Sequence, residues 1–386
     1  MAVGGEAVAR DAGGRVVFVE GALPGETVDV IVYDQRASYA RASVTEVISP
    51  APERVAPPCP HVARGCGGCG WQHIAPAAQV VFKIGLVVDA LRRLGGVNEP
   101  EVRPGPALPS FGYRTTLQVA VAGGPGFRRH RGHQVVEVDS CLVSHPLLED
   151  VLAHGHFGTA SAALLRAGAR TGERMAVLTP TAAGASLGAG VRAVGQDELD
   201  QGRRAWIFEE VAGARLRISA GSFFQARPDG AEVLVDLVGR ALEDAPPGPL
   251  VDAYGGVGLF GATVGRCRPV TLLESSPSAV ADARVNLPAA RVRRVDVAHW
   301  RPAPAAAVVA DPPRAGLGRR AAGVLAATGA SHLALVSCDP ASFGRDAALL
   351  AAHGFALRWA TVVDMFPGTP HVEVVGSFIR VGTVAT

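Results

Sequence analysis

Short runs of alternating apolar and polar residues dominate the first 56 positions of the chain. The segment GRVVFVEGALPGETVDVIVYDQRASYARASVTEVI alternates β-branched and polar residues, with Gly, Pro and Asp between the runs. A period of two, interrupted by turn residues, is typical of strands that bury one face. The pattern predicts five short strands, which indicate a small barrel of the oligonucleotide-binding type over residues 1–56. Arg15, Arg36 and Arg41 either face a phosphate backbone or form a solvated face.

The pattern changes near residue 231, where apolar runs alternate with helix-like segments. The runs in PLVDAYGG, PVTLLE, AAAVVADPP and SHLALVSC are short and continuous. Such strands, separated by helices, predict a doubly wound, Rossmann-like α/β domain, which we place at residues 221–386. Residues 57–220 mix strand and loop patterns and form a predicted central domain. A helix predicted over 76–97 can pack on the C-terminal domain, so we expect a multidomain α/β protein.

Composition and charge favour a cytoplasmic globular protein. The 386 residues carry a formal net charge of +2 with a pI of about 8.3, and Lys83 is the one lysine beside 36 arginines. Arginine binds phosphate through a planar fork of donors, so this balance is compatible with a nucleic-acid partner. No apolar run reaches the ~18 residues that cross a membrane, and the first residues lack a signal-peptide pattern. We expect a monomer without membrane contact or an obligate protein partner.

A glycine turn follows the first apolar strand of the predicted C-terminal domain. In LVDAYGGVGLFG, Asp252 opens the turn, and Gly256 and Gly258 allow a ligand to approach the backbone before a helix begins. Glu274 ends the next strand, where a carboxylate can accept both hydroxyl groups of a ribose. The glycine spacing departs from the pyrophosphate pattern G-x-G-x-x-G and fits S-adenosylmethionine better. Asp296, after the third strand, is either an adenine contact or an ordinary loop residue.

Three of the six cysteines lie within eleven residues. The segment CPHVARGCGGC contains Cys59, Cys66 and Cys69. Because thiols stay reduced in the cytoplasm, this grouping favours metal binding or catalysis over a disulfide. The spacing leaves two metal groups open, an iron–sulfur cluster and a zinc ion with His61 or His73 as an alternative ligand.

A further cysteine stands where an α/β domain binds its ligands. Cys338 ends the strand in ALVSC and Asp311 ends the strand before it, so the two side chains should be neighbours. Such a cysteine is either a small buried apolar residue or a nucleophile. Carbon 5 of uracil becomes nucleophilic only after a thiolate adds at carbon 6, and a base must then remove the carbon-5 proton. Glu373 in an apolar strand is the candidate base, with His371 as a second candidate.

These motifs occur together, and in this order, in a known family. The chain resembles the RNA uracil-5-methyltransferases that carry an N-terminal TRAM domain and an iron–sulfur cluster. The resemblance runs through GALPGETVDV, CPHVARGCGGCGWQH, FGYRTTLQVAV, GSFFQARPDGAEVLV, LVDAYGGVGLFG, DPPRAGL, LVSCDPASFGRD and DMFPGTPHVEVV. It implies transfer of a methyl group from S-adenosylmethionine to carbon 5 of a uridine in structured RNA. Ribosomal 23S RNA is favoured over transfer RNA.

The resemblance also implies roles for individual residues. Cys338 matches the nucleophile and Glu373 the proton acceptor, while Phe223 matches an aromatic residue beside an extruded base. The residues of the family that bind or lie near S-adenosylmethionine match Gln225, Tyr254, Glu274 and Asp311. The predicted binding site also includes Gly256, Gly258 and Asp296, which the glycine-turn pattern indicates.

The cysteine-rich segment gains a fourth ligand from the same resemblance. Cys59, Cys66 and Cys69 match three clustered ligands of a 4Fe–4S cluster, and Cys141 matches the remote fourth. Methyl transfer needs no redox step, so the implied role of the cluster is structural. Zinc remains the structural alternative.

Two positions depart from the family pattern. Leu259 replaces an asparagine, and Asp339 follows Cys338, where a carboxylate is expected to raise the pKa of the thiol. Two other functions stay open. One is an amino-group nucleobase methyltransferase that uses the Asp-Pro-Pro motif, and the other is an RNA-binding protein with a decayed active site.

Overall fold

The computed structural model describes residues 1–381, and its first four strands form one sheet. These strands are β1 (Ala7–Arg10), β2 (Val16–Glu20), β3 (Thr27–Gln35) and β4 (Tyr39–Ser49). Their order is β1-β2-β4-β3, with β2 and β4 parallel and the other pairs antiparallel. The predicted count of five strands is therefore wrong for this segment. Three register shifts interrupt the pairing of the long strands β3 and β4, as β-bulges do.

The middle of the chain is built around a six-stranded sheet. Its elements are α1 (Pro60–Ala63), α2 (Pro76–Arg93), β5 (Val102–Pro104), β6 (Thr116–Val121), β7 (Pro125–Arg128), β8 (Val135–Glu137), α3 (Pro146–His154), β9 (His156–Phe157), β10 (Ala162–Ala167), β11 (Arg174–Thr179), β12 (Ala185–Ser186), β13 (Val191–Gly195), α4 (Gln196–Asp200), β14 (Trp206–Val211) and β15 (Ala214–Ser219). The sheet has the order β13-β11-β10-β6-β7-β8, and β14 and β15 form a separate hairpin. Helix α3 closes the core of this sheet with Leu148 and Leu152.

The last segment forms an eight-stranded sheet with helices between its strands. Its elements are α5 (Pro228–Ala241), β16 (Leu250–Ala253), α6 (Leu259–Ala262), β17 (Val270–Glu274), α7 (Pro277–Asn286), β18 (Arg291–Arg294), β19 (Ala307–Ala310), α8 (Gly318–Ala326), β20 (His332–Ser337), α9 (Pro340–Ala352), β21 (Phe355–Val363) and β22 (Glu373–Arg380). The order is β18-β17-β16-β19-β20-β22-β21-β5. The strands β18, β17, β16, β19 and β20 are parallel, whereas β22 runs antiparallel to both neighbours. The protein is thus a multidomain α/β protein.

Helix α2 and strand β5 come from the middle of the chain but join the last sheet. Strand β5 pairs with β21 and forms the edge of the sheet, and α2 packs against α9. The two helices approach closely at Gly344, where an added Cβ would lie 2.5 Å from the Ala90 carbonyl oxygen. Leu86 and Leu91 of α2 share one buried core with Phe343 of α9. Helix α2 and strand β5 therefore belong spatially to the last sheet, although both come before residue 220. The domain boundaries at residues 56 and 220 remain predictions.

None of the helices in residues 1–381 is both long enough and apolar enough to cross a membrane.

Candidate active site

Three side chains meet where the strands of the last sheet end. Asp311 follows β19, Cys338 follows the neighbouring strand β20, and Glu373 begins β22. Ser337 pairs with Val374 across the β20–β22 ladder, so Cys338 and Glu373 continue the two strands side by side. The register of an antiparallel pair therefore brings together two residues 35 positions apart.

Burial and like charges shift the pKa of all three groups. Burial, followed by the charges of Glu373 and Asp311, raises the pKa of the Cys338 thiol to about 11. Burial raises the pKa of Asp311 to about 7, and it raises that of Glu373, which is 4% exposed, well above its usual range. Asp311 adds to the shift of Glu373, because two neighbouring carboxylates resist carrying two charges. All three groups therefore keep their protons to a higher pH than they would in water.

Arg314 and His371 form the cationic side of this site. The Arg314 guanidinium lowers the pKa of Cys338, opposing the carboxylates, and its Nη2 lies 2.9 Å from Nδ1 of His371. Burial and the Arg314 charge lower the pKa of His371. His371 thus tends to be neutral and can accept the hydrogen bond from Arg314. Arg314 is not among the predicted site residues, although its place three residues after Asp311 in DPPR is a usable signal.

The two departures from the family pattern have local explanations. Asp339 caps α9, since its Oδ1 accepts a hydrogen bond from the Ser342 amide at 2.7 Å. The carboxylates that raise the pKa of Cys338 are Glu373 and Asp311, so the effect expected from Asp339 is not found. Leu259 is buried in the apolar core at the start of α6. Both residues stabilise the local fold in place of a polar contact.

The glycine turn lies beside these strand ends and is shaped by Glu274. Its Oε2 accepts from the Gly256 amide at 3.0 Å, and its Oε1 accepts from the Ser276 amide at 2.7 Å. Tyr254 and Gly258 have φ angles of 58° and 98°, and a Cβ on Gly258 would lie 2.6 Å from Leu287. These contacts fix the turn in a conformation that leaves its backbone close to the space beside the strand ends, which we call the crevice.

Carboxylates surround the crevice on several sides. Asp252 is 1% exposed, its Oδ2 accepts from the Gly261 amide at 2.8 Å, and its Oδ1 has no hydrogen-bond partner in the described residues. Burial, with the charges of Asp311 and Glu274, raises the pKa of Asp252 to about 7. An unpartnered oxygen among acidic groups fits a cationic ligand, and S-adenosylmethionine carries both a sulfonium and an ammonium group. Asp296 differs from these buried carboxylates, since its side chain is exposed and caps the short turn at residues 297–299.

Replacing Asp252 with asparagine should stabilise the ligand-free protein more at pH 8 than at pH 5. Because the folded-state pKa is raised to about 7 from 3.8, the folded protein keeps a proton that the unfolded chain has lost. The free energy of unfolding of the wild type therefore loses this contribution as the pH rises from about 4 to 7. We expect the advantage of Asp252→Asn to grow by about 3 kcal/mol between pH 5 and pH 8 in urea unfolding. An equal advantage at both pH values would contradict a protonated Asp252.

Phe223 and Gln225 follow a turn that is tied to α7. Phe223 is 72% exposed, whereas Gln225 is buried, with Nε2 donating to Asp311 Oδ2 at 3.5 Å. The fully buried Asp282 of α7 accepts from the Ser222 hydroxyl at 2.6 Å and also from Ser219. The turn therefore places one side chain in solvent and the other in the crevice. Sequence reasoning missed Asp282, which resembles any polar residue of a surface helix.

The predicted metal ligands lie at a junction of several elements. Cys66 forms a backbone bridge to Arg129, after β7, and Cys69 lies next to Gly368 in the loop before β22. The Cys59 amide donates to the side chain of Gln72. Cys141 lies farther along the chain, and its amide donates to Glu149 at 3.3 Å. All four thiols are partly buried and free.

The four cysteines influence one another without closing around a single ion. Burial raises the pKa of Cys69, with added contributions from Cys66 and Cys59, and burial together with the Cys69 charge raises the pKa of Cys141 to about 11. Within residues 1–381, no three side chains of His, Cys, Asp or Glu converge closely enough to hold one metal ion. Both ring nitrogens of the buried His61 lack a partner in that range.

Comparisons with known proteins agree with this architecture. The family model for the TRAM domain matches residues 4–45. An "Uncharacterized RNA methyltransferase" of Streptomyces avermitilis is 33% identical over 97% of this chain and 95% of its own length. The 23S rRNA (uracil(1939)-C(5))-methyltransferase RlmD of Alkalilimnicola ehrlichii is 32% identical over 95% and 92%. The structure of Pyrococcus abyssi tRNA (uracil-54, C5)-methyltransferase with S-adenosyl-L-homocysteine matches with a TM-score of 0.73 at 24% identity, over 97% of this chain and 100% of that chain.

Proposed function

Since this chain belongs to the S-adenosylmethionine-dependent RNA (uracil-C5)-methyltransferases with a TRAM domain, we propose that it methylates carbon 5 of a uridine in 23S ribosomal RNA. Cys338 acts as the nucleophile in this proposal and Glu373 as the proton acceptor. The observation that carries the proposal is the convergence of Cys338, Glu373 and Asp311 at strand ends beside the glycine turn. The choice of ribosomal RNA rests on the similarity to the 23S rRNA methyltransferase of Alkalilimnicola ehrlichii. Such a substrate places the protein in the cytoplasm.

The proposed reaction begins at the sulfur of Cys338. Its thiolate adds to carbon 6 of the uracil, and the electron pair of the 5,6 double bond moves toward the carbon-4 oxygen as an enolate. With a pKa of about 11 the thiol is mostly protonated at neutral pH, so the Arg314 charge that favours the thiolate contributes directly to reactivity. Carbon 5 of the enolate then takes the methyl group from the sulfonium, and S-adenosylhomocysteine leaves.

Glu373 completes the proposed reaction by removing a proton. After methyl transfer, carbon 5 carries both a methyl group and its original hydrogen, and carbon 6 is still bonded to sulfur. The carboxylate takes the carbon-5 proton, the double bond re-forms, and the Cys338 thiolate leaves. The raised pKa makes Glu373 a stronger base than a solvated carboxylate. Its burial at the start of β22 keeps water from competing for this role.

The methyl donor is expected to bind among residues of the crevice. The turn that follows β16 is lined or shaped by five of the predicted residues, Gln225, Tyr254, Gly256, Gly258 and Glu274. S-adenosylmethionine supplies an electrophilic methyl group, and the acidic surroundings of the crevice favour its cationic groups. Asp296 is exposed at the edge of this region and is the weakest member of the predicted set.

A basic cleft supports RNA as the substrate. The cleft has a volume of roughly 990 Å³, contains no Asp or Glu among the described lining residues, and opens beside Gly221, two residues before Phe223. Such a surface suits the phosphates of a strand whose target base has been extruded. Two of its arginines, Arg203 and Arg217, pair with Glu198 and Asp282, which lie outside the lining, and Arg15, Arg36 and Arg41 of the N-terminal segment each pair with a carboxylate as well. The cleft's arginines are Arg128, Arg203, Arg204 and Arg217.

Transcripts that contain 5-fluorouridine test the proposed function directly. Fluorine at carbon 5 cannot be removed as a proton, so the sequence stops after methyl transfer and the protein stays bonded to the RNA. We expect a complex that survives denaturing electrophoresis and depends on S-adenosylmethionine, with the RNA attached to the peptide that contains Cys338. With ordinary 23S RNA, mass spectrometry of nucleosides should detect 5-methyluridine. Methylated adenine or guanine instead would refute the proposal.

The cysteine-rich segment is proposed to hold a 4Fe–4S cluster with a structural role. We expect protein purified without oxygen to be brown and to contain about four iron atoms per chain. Replacing Cys141 with serine should remove most of the iron, because this residue is the one ligand remote from the segment. The matched control is Cys267→Ser, an exposed cysteine that should leave the iron content unchanged. Colourless protein with one zinc per chain would contradict the cluster.

A further inference from the structure

The one lysine of the chain is fully buried. Among 36 arginines, Lys83 of α2 is 0% exposed, and its Nζ donates to Asp364 Oδ1 at 2.6 Å and to the Phe366 carbonyl oxygen at 3.2 Å. The ammonium also lies 5.9 Å from the centre of the Trp71 ring. Burying a charge is costly unless it is paired and hydrogen-bonded, so this arrangement is unlike that of an ordinary surface cation.

The acceptors of Lys83 belong to the segment that leads to Glu373. We call residues 364–372, between β21 and β22, the base loop. Gln79, one turn before Lys83 on α2, accepts from the Gly368 amide at 2.7 Å, and the Trp71 amide donates to the Gly368 carbonyl at 2.8 Å. The base loop is thus held at its beginning and its middle by α2 and by Trp71. These contacts span 281 to 297 positions of sequence and do not touch the strands that carry Cys338.

We propose that Lys83 is a positioning residue for proton removal, acting through the base loop on the carboxylate of Glu373. The inference rests on the proposed role of Glu373. A carboxylate that abstracts a proton must be held to within a fraction of an ångström of its target, whereas sulfur addition and methyl transfer depend on other strands. Loosening the base loop should therefore slow the last step of the reaction more than the earlier ones.

A lysine suits this position better than an arginine. The ammonium is a compact group with three donors, and it fits between one carboxylate oxygen and one carbonyl oxygen. The planar guanidinium is larger and would have to displace the base loop or Trp71. This physical difference explains why a chain that uses arginine everywhere else has its lysine here.

Lys83→Met tests the inference, because methionine fills much of the same volume without the charge. We expect covalent complexes between the protein and methylated ordinary uridine RNA to accumulate at least 10-fold over wild type. Multiple-turnover kcat should fall by a similar factor, while the Kd for S-adenosylmethionine and the first methyl transfer change less than 3-fold. Asp364→Asn, which keeps a polar group on Nζ, should show the same change more weakly and serves if Lys83→Met does not fold.

The control is Arg380→Met, in which the lost cation donates to carbonyl groups of Ala326 and Ala330 away from the base loop. This variant should accumulate no complex even if its thermal stability falls as much. Lys83→Met and Asp364→Asn proteins that are folded, methylate normally and accumulate nothing would overturn the positioning role alone. A wild-type protein that forms no adduct with 5-fluorouridine RNA would overturn the proposed function instead.

Discussion

Replacing Cys338 with alanine should abolish methyl transfer to uridine, with a loss on the order of 10⁴-fold or more in kcat/KM. Without the sulfur, carbon 5 of the uracil never becomes an enolate carbon, and neither Glu373 nor the methyl donor can replace that activation. The same variant should form no complex with 5-fluorouridine RNA. Incorporation of tritiated methyl groups into a 23S RNA fragment measures the loss, and denaturing electrophoresis measures the complex.

The interpretation of Cys338→Ala depends on intact binding of S-adenosylmethionine. Calorimetry should give an affinity within a few-fold of wild type, since Cys338 is not expected to hold the methyl donor. Full methylation by this variant would favour the amino-group reading of the Asp-Pro-Pro motif. A wild-type protein that binds RNA but no S-adenosylmethionine would favour the decayed RNA-binding protein. The matched control is Cys267→Ala, which removes an exposed thiol and should be fully active.

Replacing Glu373 with glutamine should stop the enzyme after methyl transfer. The amide keeps the shape of the side chain but cannot accept the carbon-5 proton, so the methylated uridine stays bonded to Cys338. We expect about one methyl group per protein molecule to be transferred rapidly, followed by turnover that is slower by roughly 10²- to 10⁴-fold. A covalent complex with ordinary uridine RNA, absent in the wild type, should be visible on denaturing gels.

Two results would contradict the assignment of Glu373. Normal multiple turnover by Glu373→Gln would mean that another group removes the proton, and His371 would be the next candidate. Loss of the first methyl transfer would mean that Glu373 acts earlier, for example on the Cys338 thiol. Testing His371→Gln beside it separates these cases, since that variant removes the partner of Arg314 but leaves the carboxylate in place.

The parts of the site that lie on apolar strands could be predicted from the sequence. Cys338, Asp311 and Glu274 each end a continuous apolar run, and carboxyl ends of parallel strands meet at one edge of the sheet. Glu373 could be predicted because a carboxylate in an apolar strand requires a partner or a function. Their grouping with the glycine turn follows from the alternation of strands and helices alone.

The contacts that orient these residues could not be predicted in the same way. Lys83 and Asp364 are 281 positions apart, and nothing in the local pattern of α2 indicates that its cation faces inward. Asp339 follows Cys338 directly, so sequence distance predicted an electrostatic effect, but its carboxylate caps the helix that begins beside it. The strand count of the first 56 residues failed for another reason, since bulges are invisible to a period-two pattern.

The attachment of α2 and β5 to the far edge of the last sheet also sets the timing of folding on the ribosome. About 250 residues separate these elements from α9 and β21, which at roughly 5–20 residues per second is a delay of about 12–50 s during synthesis. Throughout that interval the part of the apolar face of α2 that packs against α9, with Leu86 and Leu91, lacks its native partner. The nascent chain therefore carries this uncovered apolar surface until α9 and β21 have emerged, and chaperone capture should be concentrated in that interval.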